Sequence, residues 1–153
     1  MAKVSPDEEI LEIAISREVE AYHFFLALAS RVKSDAMRTI FEDLAKEELE
    51  HKAKLELEVM KMGRTVDVKL KPGRPVSEYI ISDTDLPLDM DYKDMLLLGM
   101  EKEEASFRMY ISLLPSVHDD ESRELLLALA EEEVKHKLRF VTEYELLLDK
   151  RES

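Results

Sequence analysis

Helical periodicity runs through most of this sequence. Apolar residues recur at intervals of three and four positions in four long segments, at about residues 6–33, 35–62, 90–117 and 119–149. Gly and Pro, which interrupt helices, are concentrated between the second and third segments. The pattern therefore predicts an all-α chain of four helices, each about 42 Å long at about 1.5 Å per residue.

The connections between these helices differ in length. Only a residue or two separates the first helix from the second and the third from the fourth, so each pair must form an antiparallel hairpin. The crossover at about residues 64–90 could run the whole length of the bundle at about 3.3 Å per residue. We therefore predict a single domain over residues 1–153, a four-helix bundle of two hairpins joined by one long crossover.

The two halves of the chain are copies of each other. A shift of 85 residues, without a gap, aligns segment 41–52 with segment 126–137. Identical pairs include Leu44/Leu129, Ala45/Ala130, Glu47/Glu132, Glu48/Glu133, His51/His136, Lys52/Lys137, Glu18/Glu103 and Arg38/Arg123. A repeated hairpin implies a pseudo-two-fold axis, so both halves should contribute the same groups to the centre of the bundle.

A glutamate interrupts the apolar stripe near the midpoint of every helix, and a histidine follows two of them by three residues. The midpoints of antiparallel helices of similar length lie at about the same level, and an i, i+3 pair shares one helical face. The side chains expected to converge are Glu18, Glu48, His51, Glu103, Glu133 and His136.

Four carboxylates in an apolar core need compensation, because each buried, unpaired charge costs several kcal/mol. Either their pKa values rise until most are neutral, or cations compensate them. Two divalent ions would supply four positive charges, and two neutral imidazoles would complete their ligand sets. Two lone Glu residues and two Glu-x-x-His pairs are typical of di-iron and di-manganese bundles. The competing interpretation is a bundle whose glutamates are partly exposed and bind no metal.

The four helices resemble the rubrerythrin branch of the ferritin-like superfamily over nearly the whole chain. The resemblance is carried by the motifs Glu18-x-x-Ala21, Glu48-x-x-His51, Glu103-x-x-Ser106 and Glu133-x-x-His136. It implies a ferritin-like fold with two iron ions, bridged by Glu48 and Glu133, with Glu18 and Glu103 as terminal ligands and His51 and His136 at the two irons. It also implies a reaction with hydrogen peroxide or dioxygen. Manganese and zinc accept the same kinds of ligand.

Two features depart from that family. Rubrerythrins append a rubredoxin domain with four cysteines, whereas this chain has no Cys, so we expect an external electron-donor protein. Family members also carry an extra glutamate one turn after the third-helix ligand, where this chain has Ser106. Glu101-x-x-Glu104 could mimic the family's pair of glutamates. Both positions leave the stripe that Glu103 occupies, however, and we expect Glu101 and Glu104 to be solvated.

Three other side chains are candidates near the metals. Tyr110 lies two turns after Glu103 on the same face, where it could donate a hydrogen bond or an electron as a catalytic residue. Its repeat partner is Phe25, so core packing explains it equally well. Glu47 and Glu132 are candidate acceptors for the N–H groups of metal-bound imidazoles.

Composition excludes several classes of protein. A chain with 45% hydrophobic and 37% charged residues is too apolar to be disordered and too charged for a membrane protein. There is no apolar run of about 20 residues and no signal peptide, so we expect a cytoplasmic protein. The net charge of −13 disfavours nucleic acid and suits cations. The absence of Asn, Gln and Cys beside abundant Glu and Lys suggests a source in a hot environment.

The interpretation that we prefer is a di-iron oxidoreductase that reacts with hydrogen peroxide or dioxygen. One alternative is that the same site oxidises ferrous iron for binding and storage. A second alternative is a helical interaction module without a redox metal. We expect a homodimer or a higher homo-oligomer.

Overall fold

The computed structural model describes residues 5–63 and 90–152, with side chains as far as Lys150. The helices are α1 (Pro6–Arg31), α2 (Asp35–Lys61), α3 (Tyr92–Leu113) and α4 (Asp120–Glu152). Helix α1 packs along α2, and α3 packs along α4. The all-α bundle of two hairpins is confirmed, while the predicted crossover lies outside the described residues. None of the helices in the described part is long and apolar enough to cross a membrane.

Each helix begins next to a side chain that accepts a hydrogen bond from its first turn. The acceptors are Ser5, Ser34, Asp91 and Asp119, and each bonds the backbone N–H three residues later at 2.9–3.4 Å. Such caps satisfy N–H groups that have no partner within the helix and are worth about 1 kcal/mol each. Local sequence therefore sets the level at which each helix starts.

Helix α3 is shorter than its periodicity predicted. We expected a helix to residue 117, but α3 ends at Leu113 and a short 3-10 helix follows over Leu114–Ser116. Pro115 is the cause, because it has no N–H to donate to the carbonyl of Ile111. The apolar pattern continues through this turn because Val117 is buried in the core.

The pseudo-two-fold relationship extends to the joints of the hairpins. A guanidinium nitrogen of Arg38 donates to the carbonyl of Val32 at 3.3 Å. A guanidinium nitrogen of Arg123 donates to the carbonyl of Val117 at 2.5 Å. The two pairs are related by the same shift of 85 residues, so both hairpins turn with the same stabilising contact.

The core consists of two apolar clusters, one toward each end of the bundle. One contains Phe24, Phe25, Leu28, Phe41, Leu44, Met95, Leu96 and Phe140. The other contains Leu11, Ala14, Leu55, Val59, Tyr110, Leu126, Leu129 and Ala130. Along every helix the stripe glutamate falls between residues of the two clusters. The four glutamates, with His51 and His136, therefore form a polar layer that has apolar side chains on both sides.

Candidate metal centre

The structure brings the six predicted side chains together into two overlapping groups. In each group, one potential ligand atom from every residue lies within 4.8 Å of the others. The first group is Glu18, Glu48, His51 and Glu133, and the second is Glu48, Glu103, Glu133 and His136. No member is more than 4% exposed. The centre therefore has two adjacent positions that share Glu48 and Glu133.

Both imidazoles face the layer through Nδ1. Nδ1 of His51 lies 3.3 Å from Oε1 of Glu133, and Nδ1 of His136 lies 3.0 Å from Oε1 of Glu48. The two contacts are related by the repeat, and each joins α2 to α4. The rings are stacked with centroids 5.6 Å apart and planes inclined by 7°. Sequence could place these histidines on the right face, but it could not say which nitrogen faces the carboxylates.

The hydrogen bonds inside this layer are far from complete. Ten buried atoms of these six side chains have no well-aligned partner among the described residues: Oε2 of Glu18, Nδ1 of His51, both ring nitrogens of His136, and both carboxylate oxygens of Glu48, Glu103 and Glu133. Buried polar groups in folded proteins are nearly always hydrogen-bonded, so such a set needs an explanation. Carboxylate oxygens and imidazole nitrogens are ligands that divalent transition metals accept. The donor set therefore fits a centre of two metal ions.

Burial and mutual repulsion change the acidity of the carboxyl groups. Burial, reinforced by the charges of Glu18 and Glu133, raises the pKa of Glu48 well above its usual value. Burial and the charge of Glu133 likewise raise the pKa of Glu103. Four carboxylates this close together cannot all remain ionised without compensating charge. When no cation is bound, Glu48 and Glu103 therefore favour the protonated form more strongly than an ordinary glutamate does.

Two members of the layer are shifted toward their charged forms. Burial opposes ionisation of Glu133, but its close polar contacts with Glu103 and His51 outweigh burial and lower the pKa of Glu133. Burial also opposes protonation of His51, but its contacts with Glu133 and Glu18 raise its pKa to about 10. The charges of Glu133 and His51 thus stabilise each other, and a metal ion at His51 would have to displace a proton from the ring.

Tyr110 contacts this layer directly. Its hydroxyl donates a hydrogen bond to Oε1 of Glu18, and both side chains are buried. Burial and the charge of Glu18 raise the pKa of Tyr110, so the phenol keeps its proton. Its repeat partner Phe25 instead packs on Phe140, with ring centroids 5.8 Å apart. The two halves of the centre therefore differ, since Oε1 of Glu18 accepts from a hydroxyl, whereas neither carboxylate oxygen of Glu103 has a well-aligned partner among the described residues.

A buried ion-pair network beside the centre was not anticipated from the sequence. Nζ of Lys102 on α3 contacts Glu20 on α1, and Arg17 lies 3.4 Å from the other oxygen of Glu20. Burial, together with the nearby charge of Arg17, lowers the pKa of Lys102 to about 7. Arg17 and Lys102 are repeat partners, and each directly precedes a stripe glutamate. The repetition of a basic residue before the stripe glutamate was the one sequence feature that could have indicated this network.

The two glutamates expected to be solvated lie away from the centre. Glu101 is exposed. Glu104 lies 3.3 Å from Lys137 and 3.5 Å from Arg108, at the surface between α3 and α4. Ser106 is buried one turn after Glu103. Among the described residues of α3, only Glu103 brings a carboxylate into the two groups.

Comparison with solved structures supports the fold. A hypothetical protein from Pyrococcus furiosus is 30% identical with a TM-score of 0.73, and the match covers 97% of this chain and 94% of that one. A manganese catalase from Anabaena PCC7120 is 14% identical with a TM-score of 0.70, covering 96% and 75%. A conserved hypothetical protein from Mycobacterium tuberculosis is 12% identical with a TM-score of 0.66, covering 92% and 91%. The last two are similar in fold alone.

Family comparison extends the assignment from fold to sequence. No curated protein matches the chain. The family model described as Rubrerythrin, however, matches residues 9–144. That range contains all six side chains of the two groups and most of the four helices. The chain therefore belongs to the rubrerythrin family.

Proposed function

We propose that this chain is a di-iron carboxylate protein that reduces hydrogen peroxide, or reacts with dioxygen, using electrons from an external donor protein. The observation that carries the proposal is the sharing of Glu48 and Glu133 by the two ligand groups. Shared carboxylates hold two cations close together, as a reaction that needs two electrons at one O–O bond requires.

The charges of the layer support two divalent ions. Four ionised carboxylates carry four negative charges, and two divalent cations balance them. Glu48 and Glu133 would contact both ions, Glu18 and His51 would complete one position, and Glu103 and His136 the other. The unsatisfied buried atoms other than Nε2 of His136 would then have partners, so the free energy lost on burying them would be recovered by coordination.

When bound, two ferrous ions supply the two electrons that, with two protons, convert hydrogen peroxide to two molecules of water. The chain's own residues prepare that site. The apolar clusters on both sides exclude bulk water, which strengthens electrostatic interactions within the layer. Tyr110 holds its proton on the phenol oxygen and orients Glu18. We propose Tyr110 as a catalytic residue, whose hydroxyl donates its hydrogen bond to Glu18 beside the position of the reacting oxygen atoms.

Iron is the metal that we propose, on the strength of family membership. Manganese and zinc accept the same carboxylate and imidazole ligands, and metal availability often decides between such ions. One protein of similar fold is a manganese catalase, so the iron and the manganese content of this protein should both be measured. These 153 residues contain no Cys to ligate a rubredoxin-type iron, and we propose that a separate protein supplies the electrons.

Elemental analysis of protein purified without oxygen, followed by the optical spectrum on adding peroxide, tests this function. We expect about two iron ions per chain. We also expect an absorbance change on adding peroxide that is reversed when a reductant is added. Glu103→Gln should lower both the metal content and the optical change. Glu101→Gln is the matched control, since this exposed glutamate of the same helix lies outside the groups and should leave both unchanged.

Two results would contradict the proposal. Metal content well below one ion per chain after supplying ferrous iron would favour a helical interaction module. Iron loading far above two ions per chain, in a large hollow assembly on size-exclusion chromatography, would favour iron storage.

A further inference from the structure

Two more carboxylates lie along the outer edge of the imidazole pair. Glu47 and Glu132 are repeat partners, and each directly precedes one of the shared glutamates. An oxygen of Glu132 lies within 4.8 Å of an imidazole nitrogen of both His51 and His136. The side chains of Glu47 and Glu132 are 44% and 38% exposed. They are thus partly solvated groups that flank buried ones.

Their partners differ despite the repeat. Oε2 of Glu47 lies 2.7 Å from Nε2 of His136. Oε1 of Glu132 instead accepts a hydrogen bond from Nζ of Lys135 at 3.1 Å. The sequence explains the difference, because Lys135 stands where the first half of the chain has Glu50. A lysine three residues along the helix attracts Glu132 toward solvent, while a glutamate at that position gives Glu47 no such partner.

The protonation of the imidazole gives this difference a chemical consequence. Nδ1 of His136 faces the layer, 3.0 Å from Glu48. A neutral imidazole that binds metal through Nδ1 carries its proton on Nε2. Nε2 of His136 is buried and has no well-aligned acceptor among the described residues. The Glu47 carboxylate is close by, and rotation of its partly exposed side chain would align it with that N–H.

We propose that Glu47 is a positioning residue for His136 and makes the two metal positions unequal, with the His136 position holding its ion more tightly than the His51 position. The inference rests on the proposed dimetal function. A carboxylate that accepts from the outer N–H fixes the tautomer and orientation of a metal-binding histidine and raises the basicity of the nitrogen that binds. With the proton on Nε2, His136 is a hydrogen-bond donor toward Glu47 and does not bind a third ion through that nitrogen.

Titration of the full-length, chelator-treated protein with manganous ion tests the inference, with free ion followed by electron paramagnetic resonance. Wild type should bind two ions per chain in two unequal steps. Glu47→Ala should weaken the tighter step by about tenfold or more, since losing such an acceptor typically costs about 10- to 100-fold in metal affinity. Glu132→Ala is the matched control and should change either step by less than about threefold on the same scale.

A conservative variant separates positioning from a general structural effect. Glu47→Gln keeps an acceptor oxygen and should restore most of the affinity that Glu47→Ala loses. Far-UV circular dichroism before metal addition checks folding, and Glu47→Leu serves as a second variant without an acceptor. In a His136→Gln background, Glu47→Ala should have no further effect on affinity.

Each contrary outcome has a distinct meaning. Two equal steps in wild type, equal losses in Glu47→Ala and Glu132→Ala, or no recovery in Glu47→Gln would overturn the inference while leaving the dimetal centre in place. Failure of wild type to bind either manganous or ferrous ion would overturn the proposed function itself.

Discussion

The hydroxyl of Tyr110 on α3 donates a hydrogen bond to Glu18 on α1. In the other half of the chain, Phe25 occupies the equivalent position and packs on Phe140. A pseudo-symmetric bundle thus holds its first and third glutamates differently. This hydrogen bond crosses between the two hairpins at the level of the carboxylate layer, so removing it should be measurable in the stability of the fold.

Tyr110→Phe should lower the free energy of unfolding of the metal-free protein by about 1–3 kcal/mol, because a buried acceptor loses its donor. Urea denaturation followed by circular dichroism measures the change. Tyr92→Phe is a suitable control, since the Tyr92 hydroxyl is buried without a hydrogen-bond partner in the described part of the chain and its removal should be neutral or slightly stabilising. Equal effects of the two substitutions would contradict the role given to the Glu18 contact.

Glu48→Ala and His136→Ala should lower metal content and thermal stability together. Ligands that bind only the folded state stabilise it, by about 2.7 kcal/mol at a free concentration of 100 Kd. Metal analysis and calorimetry of the same samples test the link, with Glu50→Ala on the exposed side of α2 as the control. If the metal stoichiometry stays unchanged in both variants, the ligand assignment is wrong.

The stability of the metal-free protein should fall as pH rises above about 4.3, the ordinary pKa of Glu. Burial raises the pKa values of Glu48 and Glu103 in the folded state, so their contribution is present at low pH and is lost as pH rises through the folded values. The pKa of His51 is raised from 6.5 to about 10, which gives the same sign between those values. The lowered pKa of Glu133 acts in the opposite sense, but only at pH values below the ordinary pKa of Glu.

Urea midpoints of the chelated protein at pH 5.5 and pH 8 (about one to four units above the ordinary pKa of Glu) measure that trend. Glu48→Gln, which cannot ionise, should flatten the dependence because it removes one of the raised groups. A urea midpoint that rises with pH in the chelated protein would contradict the raised pKa values of Glu48 and Glu103.

Metal binding should release protons near neutral pH. The raised pKa values of Glu48, Glu103 and His51 favour their protonated forms when no cation is present, and each group must lose its proton to act as a ligand. Calorimetric titration in two buffers with different ionisation enthalpies counts the protons released. We expect more than one proton for the first two ions, and affinity that increases with pH. A buffer-independent enthalpy would contradict this protonation pattern.

Much of the site was predictable because the helical period and the 85-residue repeat determine which residues share a face. Glu18, Glu48, His51, Glu103, Glu133 and His136 were placed at one level by the midpoint argument alone, and the structure brings them together. The end of α3 was predicted four residues too late, because periodicity records burial and not the missing N–H of Pro115.

Contacts between hairpins were less accessible to sequence reasoning. The pairing of Lys102 with Glu20 depends on the axial offset of α3 against α1, which apolar spacing within one helix does not encode. Tyr110 could be placed on the right face, but hydrogen bonding to Glu18 and packing alone could be distinguished only in three dimensions. The same is true of Glu47, whose position beside His136 depends on how α2 and α4 approach each other.

Anomalous diffraction at the iron absorption edge, from crystals grown without oxygen and with ferrous ion, would locate the metals. We expect two peaks per chain, about 3.5–4 Å apart as in other two-metal sites, with Glu48 and Glu133 contacting both. A single peak away from these two carboxylates, or no peak between α2 and α4 after ferrous soaking, would contradict a shared two-metal centre.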